Sequence, residues 1–300
     1  MFIIRHRIYF FFAIGLVSLA AIVSIALFGL TLGIDFKGGS LLSVSYGERP
    51  TLPAVEERVR ELALGEVRIQ PSGENSYFVR ARDITNDEKM ALENALSLGG
   101  SVPMKEESYT AIGPSIGSEL ANKALVSFTV IVLALLLFIT LAFRHVSEPV
   151  ASWKYATIAV VTLVHDVLIP TGVFAYLGAI RGAEIDSLFV VALLAILGIS
   201  INDTIVVFDR VRENLRHNRE NASRESFEET VGKSLSQTVV RSINTSLTVI
   251  FVLLALYFFG PETTKNFALM LTVGMVAGTY SSILLASPLL VAWEKFSRKA

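Results

Sequence analysis

Gly198-Ile-Ser-Ile-Asn-Asp-Thr-Ile-Val-Val-Phe-Asp-Arg210 closes an apolar run that begins near Leu188. It places Asn202 and Asp203 where the surrounding residues belong in hydrocarbon. A carboxylate at that depth costs on the order of 3 kcal/mol on insertion scales. A partner, a water-filled path or a protonation equilibrium makes such a position tolerable. Three candidate partners exist in the same chain: His165 and Asp166 within another apolar run, and Arg241 at the start of a third. The stretch therefore reads as part of a membrane-spanning bundle that encloses a few ionisable groups.

Composition agrees with that reading. Of 300 residues, 52% are hydrophobic, and the mean hydropathy of +0.57 is too high for an ordinary soluble protein. A net charge of −1 with no dominant basic face argues against nucleic acid as a partner. The absence of cysteine excludes disulfides and thiolate metal sites. His6, His145, His165 and His217 are scattered and show no HExxH spacing, so a metalloenzyme is not expected; no cofactor is expected.

Runs of roughly 20 apolar residues are long enough to span a bilayer. Six are present, at Ile8–Leu30, Leu125–Phe143, Tyr155–Leu177, Leu188–Phe208, Ile243–Phe259 and Phe267–Leu290. The first follows Arg5 and Arg7 like a signal peptide, but it is too long for an h-region and lacks a clean A-x-A site after it. It reads as a retained anchor. Orientation comes from Lys and Arg near the membrane ends. One side collects Arg5, Arg7, Arg144, Lys154, Arg210, Arg212, Arg216, Arg219, Arg224, Lys233, Lys295, Arg298 and Lys299, whereas the short loops opposite hold only Arg181 and Lys265. Both termini are thus expected in the cytoplasm.

Between the first two spans, residues 33–122 form a polar segment of domain size. Leu41–Tyr46 alternates like a strand, and Leu52–Leu64 has helical spacing behind Thr51 and Pro53. Val67–Gln70 and Tyr77–Ala81 read as strands around the turn Pro71-Ser-Gly73. Thr85–Leu98 reads as a helix with Thr85 and Glu88 as its capping box, and Val102–Ile112 as a last, weaker strand. The order βαββαβ matches the ferredoxin-like arrangement. Nothing in it has a catalytic pattern, which points to a contact role.

Asp209–Val240 is charged and mixed in sign, and reads as a helical hairpin or an interfacial helix with a solvated face. Within it, Val231-Gly-Lys-Ser234 imitates the tail of a P-loop, but Phe227 stands where the first glycine belongs, so direct use of ATP is excluded.

Asp203 lies about 8 Å from the cytoplasmic end of its span at 1.5 Å per residue, and Arg241 begins the next span at a similar depth. The two are placed to approach each other, either as a fixed clamp or as part of an ion path. Ser200, Asn202, Thr204, Ser242, Asn244, Thr245, Ser246 and Thr248 surround them with hydroxyls and amides, either as helix glue or as holders of a water chain. His165 and Asp166 leave their helix about 100° apart, so they do not face one neighbour together. A proton relay and a satisfied buried pair both fit them. Gly274, Gly278, Ser281 and Ser282 are small enough for close helix packing. Gly33-Ile-Asp-Phe-Lys-Gly-Gly39 ends a helix and starts a strand; Gly33, Gly38 and Gly39 give backbone freedom, Asp35 and Lys37 sit near the interface, and Phe36 belongs to the same structural motif. No GxGD, GxSxG or HExxH motif supports an intramembrane enzyme.

Several motifs occur in one order over essentially the whole chain. They are Gly33 to Gly39, Ser115-Ile-Gly-Ser-Glu-Leu120, His165-Asp166, Ser200-Ile-Asn-Asp-Thr204 running into Val206-Val-Phe-Asp-Arg210, Arg241-Ser-Ile-Asn-Thr-Ser246, and Phe267-Ala-Leu followed by Gly278-Thr-Tyr-Ser-Ser282. Together they resemble the SecF family, the smaller membrane subunits of the SecD–SecF protein-export complex, within the resistance-nodulation-division superfamily. The resemblance implies a membrane α-helical fold: six transmembrane helices, half of a resistance-nodulation-division bundle, with an inserted extracytoplasmic α+β domain. It implies a multi-pass bacterial inner-membrane protein, surrounded by lipid, that pairs with SecD and assists the SecYEG translocon. Such a subunit uses the proton as coupling ion to complete movement of a translocating polypeptide after the ATP-driven motor. The family's proton-pathway aspartate maps onto Asp203 and its essential arginine onto Arg241. Ile199 departs from an often aromatic position, a change expected in packing rather than chemistry. Any carboxylate that SecD contributes comes in trans. Two other readings compete: a scaffold that only stabilises the translocon, and half of a small-molecule or lipid exporter. Against the exporter, an outer segment of about 90 residues is small for a substrate-capturing domain.

Overall fold

The computed structural model describes residues 2–142 and 150–299, the last two without their side chains. The expected end of the second span at Phe143, with Arg144 and His145, lies outside the described residues, as do the side chains of Arg298 and Lys299. The chain begins with α1 (Phe2–Arg5), α2 (Arg7–Phe28), α3 (Ile34–Lys37), β1 (Gly39–Tyr46), α4 (Leu52–Arg60), β2 (Arg68–Ser72), β3 (Ser76–Ala81), α5 (Asn86–Leu96) and β4 (Met104–Ile112). It continues with α6 (Pro114–Ala142), α7 (Ser152–Arg181), α8 (Ser187–Glu220), α9 (Phe227–Phe259), α10 (Glu262–Ser281), a π-helical turn (Ser282–Ala286) and α11 (Ser287–Lys299). Two compact units result. One comprises Met1–Leu30, Ser127–Ala183 and Leu188–Ala300, the other Thr31–Val126 with Glu184–Ser187.

The smaller unit is built on a four-stranded antiparallel sheet in the order β2-β3-β1-β4. Strand alternation buries Leu42, Val44 and Tyr46 of β1 together with Tyr77, Val79 and Ala81 of β3. Val55 and Val59 of α4 and Leu92 and Leu96 of α5 complete that core. The α5 capping box forms as read: Glu88 N–H donates to the Thr85 hydroxyl at 3.3 Å, and Thr85 N–H to the Glu88 carboxylate at 2.8 Å. β4 is not the weak strand expected. It pairs with β1 from Gly39 to Tyr46, with one register shift at Ser43/Val44. Its side chains are largely exposed, so apolar alternation gave little sign of it.

The segment Glu184–Ser187, which joins α7 to α8, packs as part of this unit. Gly33 N–H donates to the Ile185 carbonyl and Ile185 N–H to the Thr31 carbonyl, both at 2.8 Å. Glu184 accepts from Arg80 at 2.9 Å and lies 3.5 Å from Arg68. Burial raises the Glu184 carboxyl above its ordinary range, and the two arginines pull it back. The Gly33–Gly39 motif folds against this segment as α3 and a tight turn with Phe36 buried in it. Gly38 and Gly39 take φ of +79° and +133°, and a Cβ on Gly39 would lie 2.7 Å from the Ala81 carbonyl oxygen.

The larger unit contributes helices long and apolar enough to cross a membrane; among the described residues there are six, the last running continuously from Glu262 to Ser297. α7 meets α2 at Gly172, where a Cβ would come 2.6 Å from Ala21 Cα, and the Ser24 hydroxyl donates to the Gly172 carbonyl at 2.7 Å. Tyr155 and Phe208 stack edge to face at 5.2 Å within a core that includes Leu163, Ile201, Val211 and Leu290. Of the most apolar windows of α2 and α6, only 11% and 6% are buried in this chain, so their surface is left for lipid or a partner.

Helix boundaries depart from the apolar runs wherever polar turns extend them. α6 starts at Pro114, not near Leu125, since proline suits a first helical turn and its polar start carries no hydropathy signal. Residues 209–240 form the hairpin, one of the two alternatives: α8 continues to Glu220, and α9 begins behind a Ser226–Glu229 capping box. The last span, read as Phe267–Leu290, extends further at both ends and contains the π turn.

Candidate functional site

Ile196, Ser200, Asp203 and Val207 recur at three- and four-residue spacing on α8 and are all buried. Helix geometry therefore puts Ser200 and Asp203 on one face, about a turn apart. Asn202 falls on another side and is exposed. The Asp203 carboxylate, 6% exposed, accepts a hydrogen bond from the Ser246 hydroxyl of α9 at 3.3 Å. One turn before Ser246, the buried Ser242 hydroxyl has no hydrogen-bond partner among the described residues, which is a place for one more donor or acceptor to enter.

Arg241 approaches without pairing. Its charge acts on Asp203, but the two form no ion pair among the described residues, and Arg241 is exposed. The reason is rotational, because five residues separate Arg241 from Ser246 and turn the two about 140° apart around α9. Arg241 instead borders an open cavity of about 300 Å³ with Val206, Asp209, Arg210, Glu213, Gln237 and Thr238. With Asn244, Thr245 and Thr248 it makes an exposed polar stripe along a spanning helix.

A second cluster forms around His165 and Asp166, which are 5% and 0% exposed. His165 Nδ1 lies 2.8 Å from Asp166 Oδ1. The other Asp166 oxygen accepts from the Ser200 hydroxyl, and Tyr280 Oη meets His165 Nε2 at 3.1 Å. The pair thus bonds to itself while each member reaches a different helix, as their angular separation requires. Sequence reasoning named His165, Asp166 and Ser200 but gave Tyr280 no role. A tyrosine in an apolar run is too common near membranes to stand out.

Small residues hold α10 directly on the polar face of α8. A Cβ on Gly278 would sit 2.9 Å from Ser200 Cβ, and one on Gly274 would sit 2.2 Å from Ile196 Cδ1. Ser281 and Ser282 are buried, with their hydroxyls on the Gly278 and Thr279 carbonyls at 3.1 and 3.0 Å. The crevice left beside Asp203, lined by Ile199, Ser200, Met275 and Thr279, has no room for a water molecule. Among the described residues no three His, Asp or Glu gather as a metal site. Asp35 lies in the smaller unit, where its carboxylate accepts from the Ser187 N–H at 2.7 Å and so caps the first turn of α8. Nothing local in the sequence announces that contact.

Two family models match the chain: protein export membrane protein SecD/SecF, C-terminal, over residues 94–296, and the SecD/SecF GG motif over residues 23–48. The chain is 42% identical to the protein translocase subunit SecF of Thermobaculum terrenum, over 97% of this chain and 93% of that one. It is 38% identical to the SecF of Anaerolinea thermophila, over 95% and 92%. It also resembles the crystal structure of SecDF, described as a translocon-associated membrane protein, from Thermus thermophilus. There the TM-score is 0.84 and the identity 30%, with 97% of this chain covered. The chain spans 38% of that longer protein.

Proposed function

The chain belongs to the SecF family of protein translocase subunits, and from that premise we propose that it couples proton movement through Asp203 to protein export in partnership with SecD. The family role is protein translocation by a multi-pass membrane component. The observation that carries the finer reading is Asp203 itself: an acid in the bundle interior whose hydrogen-bond partner among the described residues is the Ser246 hydroxyl, with Arg241 near enough for its charge to act but forming no ion pair. With a proton aboard, Asp203 needs only Ser246. Once ionised, it needs a counter-charge, and Arg241 on the helix that carries Ser246 supplies it if α9 turns or α8 shifts. Moving one charge through 100 mV is worth about 2.3 kcal/mol, which biases a two-state element by tens-fold.

The polar stripe of Arg241, Asn244, Thr245 and Thr248 supports SecD as the partner that covers this face, because exposed polar groups on a spanning helix are costly against lipid. On this reading the subunit sits in the bacterial cytoplasmic membrane with both termini inside, next to the SecYEG translocon. The βαββαβ unit is then an extracytoplasmic, ferredoxin-like module that meets the emerging polypeptide. The test is export into membrane vesicles with and without a proton gradient. Asp203→Asn is expected to remove the gradient-dependent part and leave the ATP-dependent part. Gradient-dependent export that survives in Asp203→Asn at normal expression contradicts the proposal.

A further inference from the structure

The cluster formed by Tyr280, His165, Asp166 and Ser200 is separate from the Asp203–Ser246 contact, yet it shares α8 with it. It joins three helices through consecutive hydrogen bonds: Tyr280 on α10, His165 and Asp166 on α7, Ser200 on α8. We propose that this chain is a second proton-binding unit of the bundle, and that α10 reads its loading through Tyr280. Tyr280 is a positioning residue here; the proton resides on the His165–Asp166 pair. Any use in transport rests on the proton-driven reading above, whereas the unit itself stands on geometry.

The chemistry follows from donor and acceptor counting. In the unloaded unit, Asp166 is a carboxylate that accepts from the Ser200 hydroxyl and from His165 Nδ1–H. His165 Nε2 then carries a lone pair and accepts from the Tyr280 hydroxyl. One proton added at Nε2 makes an imidazolium beside a carboxylate, a neutral pair overall, which hydrocarbon tolerates better than a lone anion. Nε2–H now donates to the Tyr280 oxygen. The Tyr280 hydroxyl hydrogen has to leave that line and find another acceptor. Loading therefore reverses the Tyr280–His165 hydrogen bond between α10 and α7 without breaking a covalent bond in any side chain. Titratable groups on the elements packed against α7 are Tyr280 from α10, Asp203 about one turn along α8 from Ser200, and Glu294 and Lys295 from α11, which meets α7 near Lys154. α2, which packs on α7 at Gly172, offers Ala21 and Ser24 there, and within its helix only Arg7 and Tyr9, near its start, titrate.

A second observation places the moving part. The π-helical turn Ser282–Ala286 begins two residues after Tyr280, and the Ser287 hydroxyl donates to the Ser282 carbonyl at 3.2 Å. A π turn holds one extra residue in the helix, and it is a frequent companion of functional sites. Migration or resolution of that bulge rotates the residues before it relative to those after it, so Tyr280 has a hinge at hand.

The experiment uses the full chain in lipid vesicles at uniform pH, with 15N-labelled histidine followed by solid-state NMR and His165 identified by loss of its signal in His165→Gln. The His165 ring signals are expected to change from imidazole to imidazolium as pH is lowered. The midpoint should move by about one pH unit in Tyr280→Phe, which deletes only the hydroxyl. Should that variant fail to fold, Ser200→Ala at the other end removes a donor to Asp166 and is expected to move the same midpoint. A role in packing alone would leave the titration where it was. An unmoved midpoint in the folded variant, or a His165 that keeps one charge state throughout, overturns the proposal. No gradient is applied, so export by Asp203→Asn and titration of His165 can fail independently.

Discussion

At Asp203 a rotation of helix α9 decides the contact: Ser246 and Arg241 lie on the same helix, and the angle between them gives the carboxylate to the hydroxyl. The glycines that press α10 onto α8 allow a sharp contrast at this scale. Gly278→Ala drives a Cβ to 2.9 Å from Ser200 Cβ, so thermal unfolding of the purified chain should show a loss of about 1–3 kcal/mol. Gly198→Ala meets nothing within 4 Å and should be neutral or stabilising by up to about 1 kcal/mol. Equal effects at the two positions would show that α10 does not press on α8. Asp203 was legible as a residue because an acid in an apolar run is an anomaly that hydropathy exposes at once. Tyr280 stayed hidden for the opposite reason, since its environment is ordinary in sequence and particular only in space.

Local signals predicted elements well where they were covalently near. The Thr85–Glu88 capping box is such a case: Arg82 and the Thr85 N–H hold the half-buried Glu88 carboxyl at about 2, below its ordinary 4.5. A depressed carboxyl stabilises the folded state above pH 4.5, and that contribution is lost as pH falls toward about 2. Protection of the α5 amides, taken relative to their intrinsic exchange rate at each pH, should fall over that window in the native chain, and Glu88→Gln should flatten the dependence. Thr85→Ala should cost about 1 kcal/mol by the same readout. An exchange profile in α5 that is indifferent to both substitutions contradicts the assignment. The π turn had no local signature, because its residues, Ser282-Ile-Leu-Leu-Ala286, read as ordinary helix. Its amides should exchange faster than those of α10 and α11 on either side; equal protection would show a regular helix in the membrane. The bond between Thr31–Gly33 and Ile185 was also beyond the sequence, since it joins residues far apart in the chain.

For the molecule as a whole, membrane spans were readable from length and hydropathy, while partner surfaces were not. A long apolar face on α2 or α6 fits lipid and protein equally in sequence. The stripe Arg241, Asn244, Thr245 and Thr248 resolves part of that question, because its polarity asks for a polar cover. Since the chain has no cysteine, Asn244→Cys gives a clean probe. A thiol reagent should modify it in the isolated subunit and be blocked once SecD is bound; equal labelling in both states would move the SecD interface elsewhere. The account as a whole depends on whether Asp203 changes its charge. Infrared difference spectra of the SecD-bound chain, recorded as pH is stepped, test this most directly. The account predicts a protonated-carboxyl band that grows as pH falls and is missing from Asp203→Asn. A spectrum identical in the two proteins at every pH would contradict it.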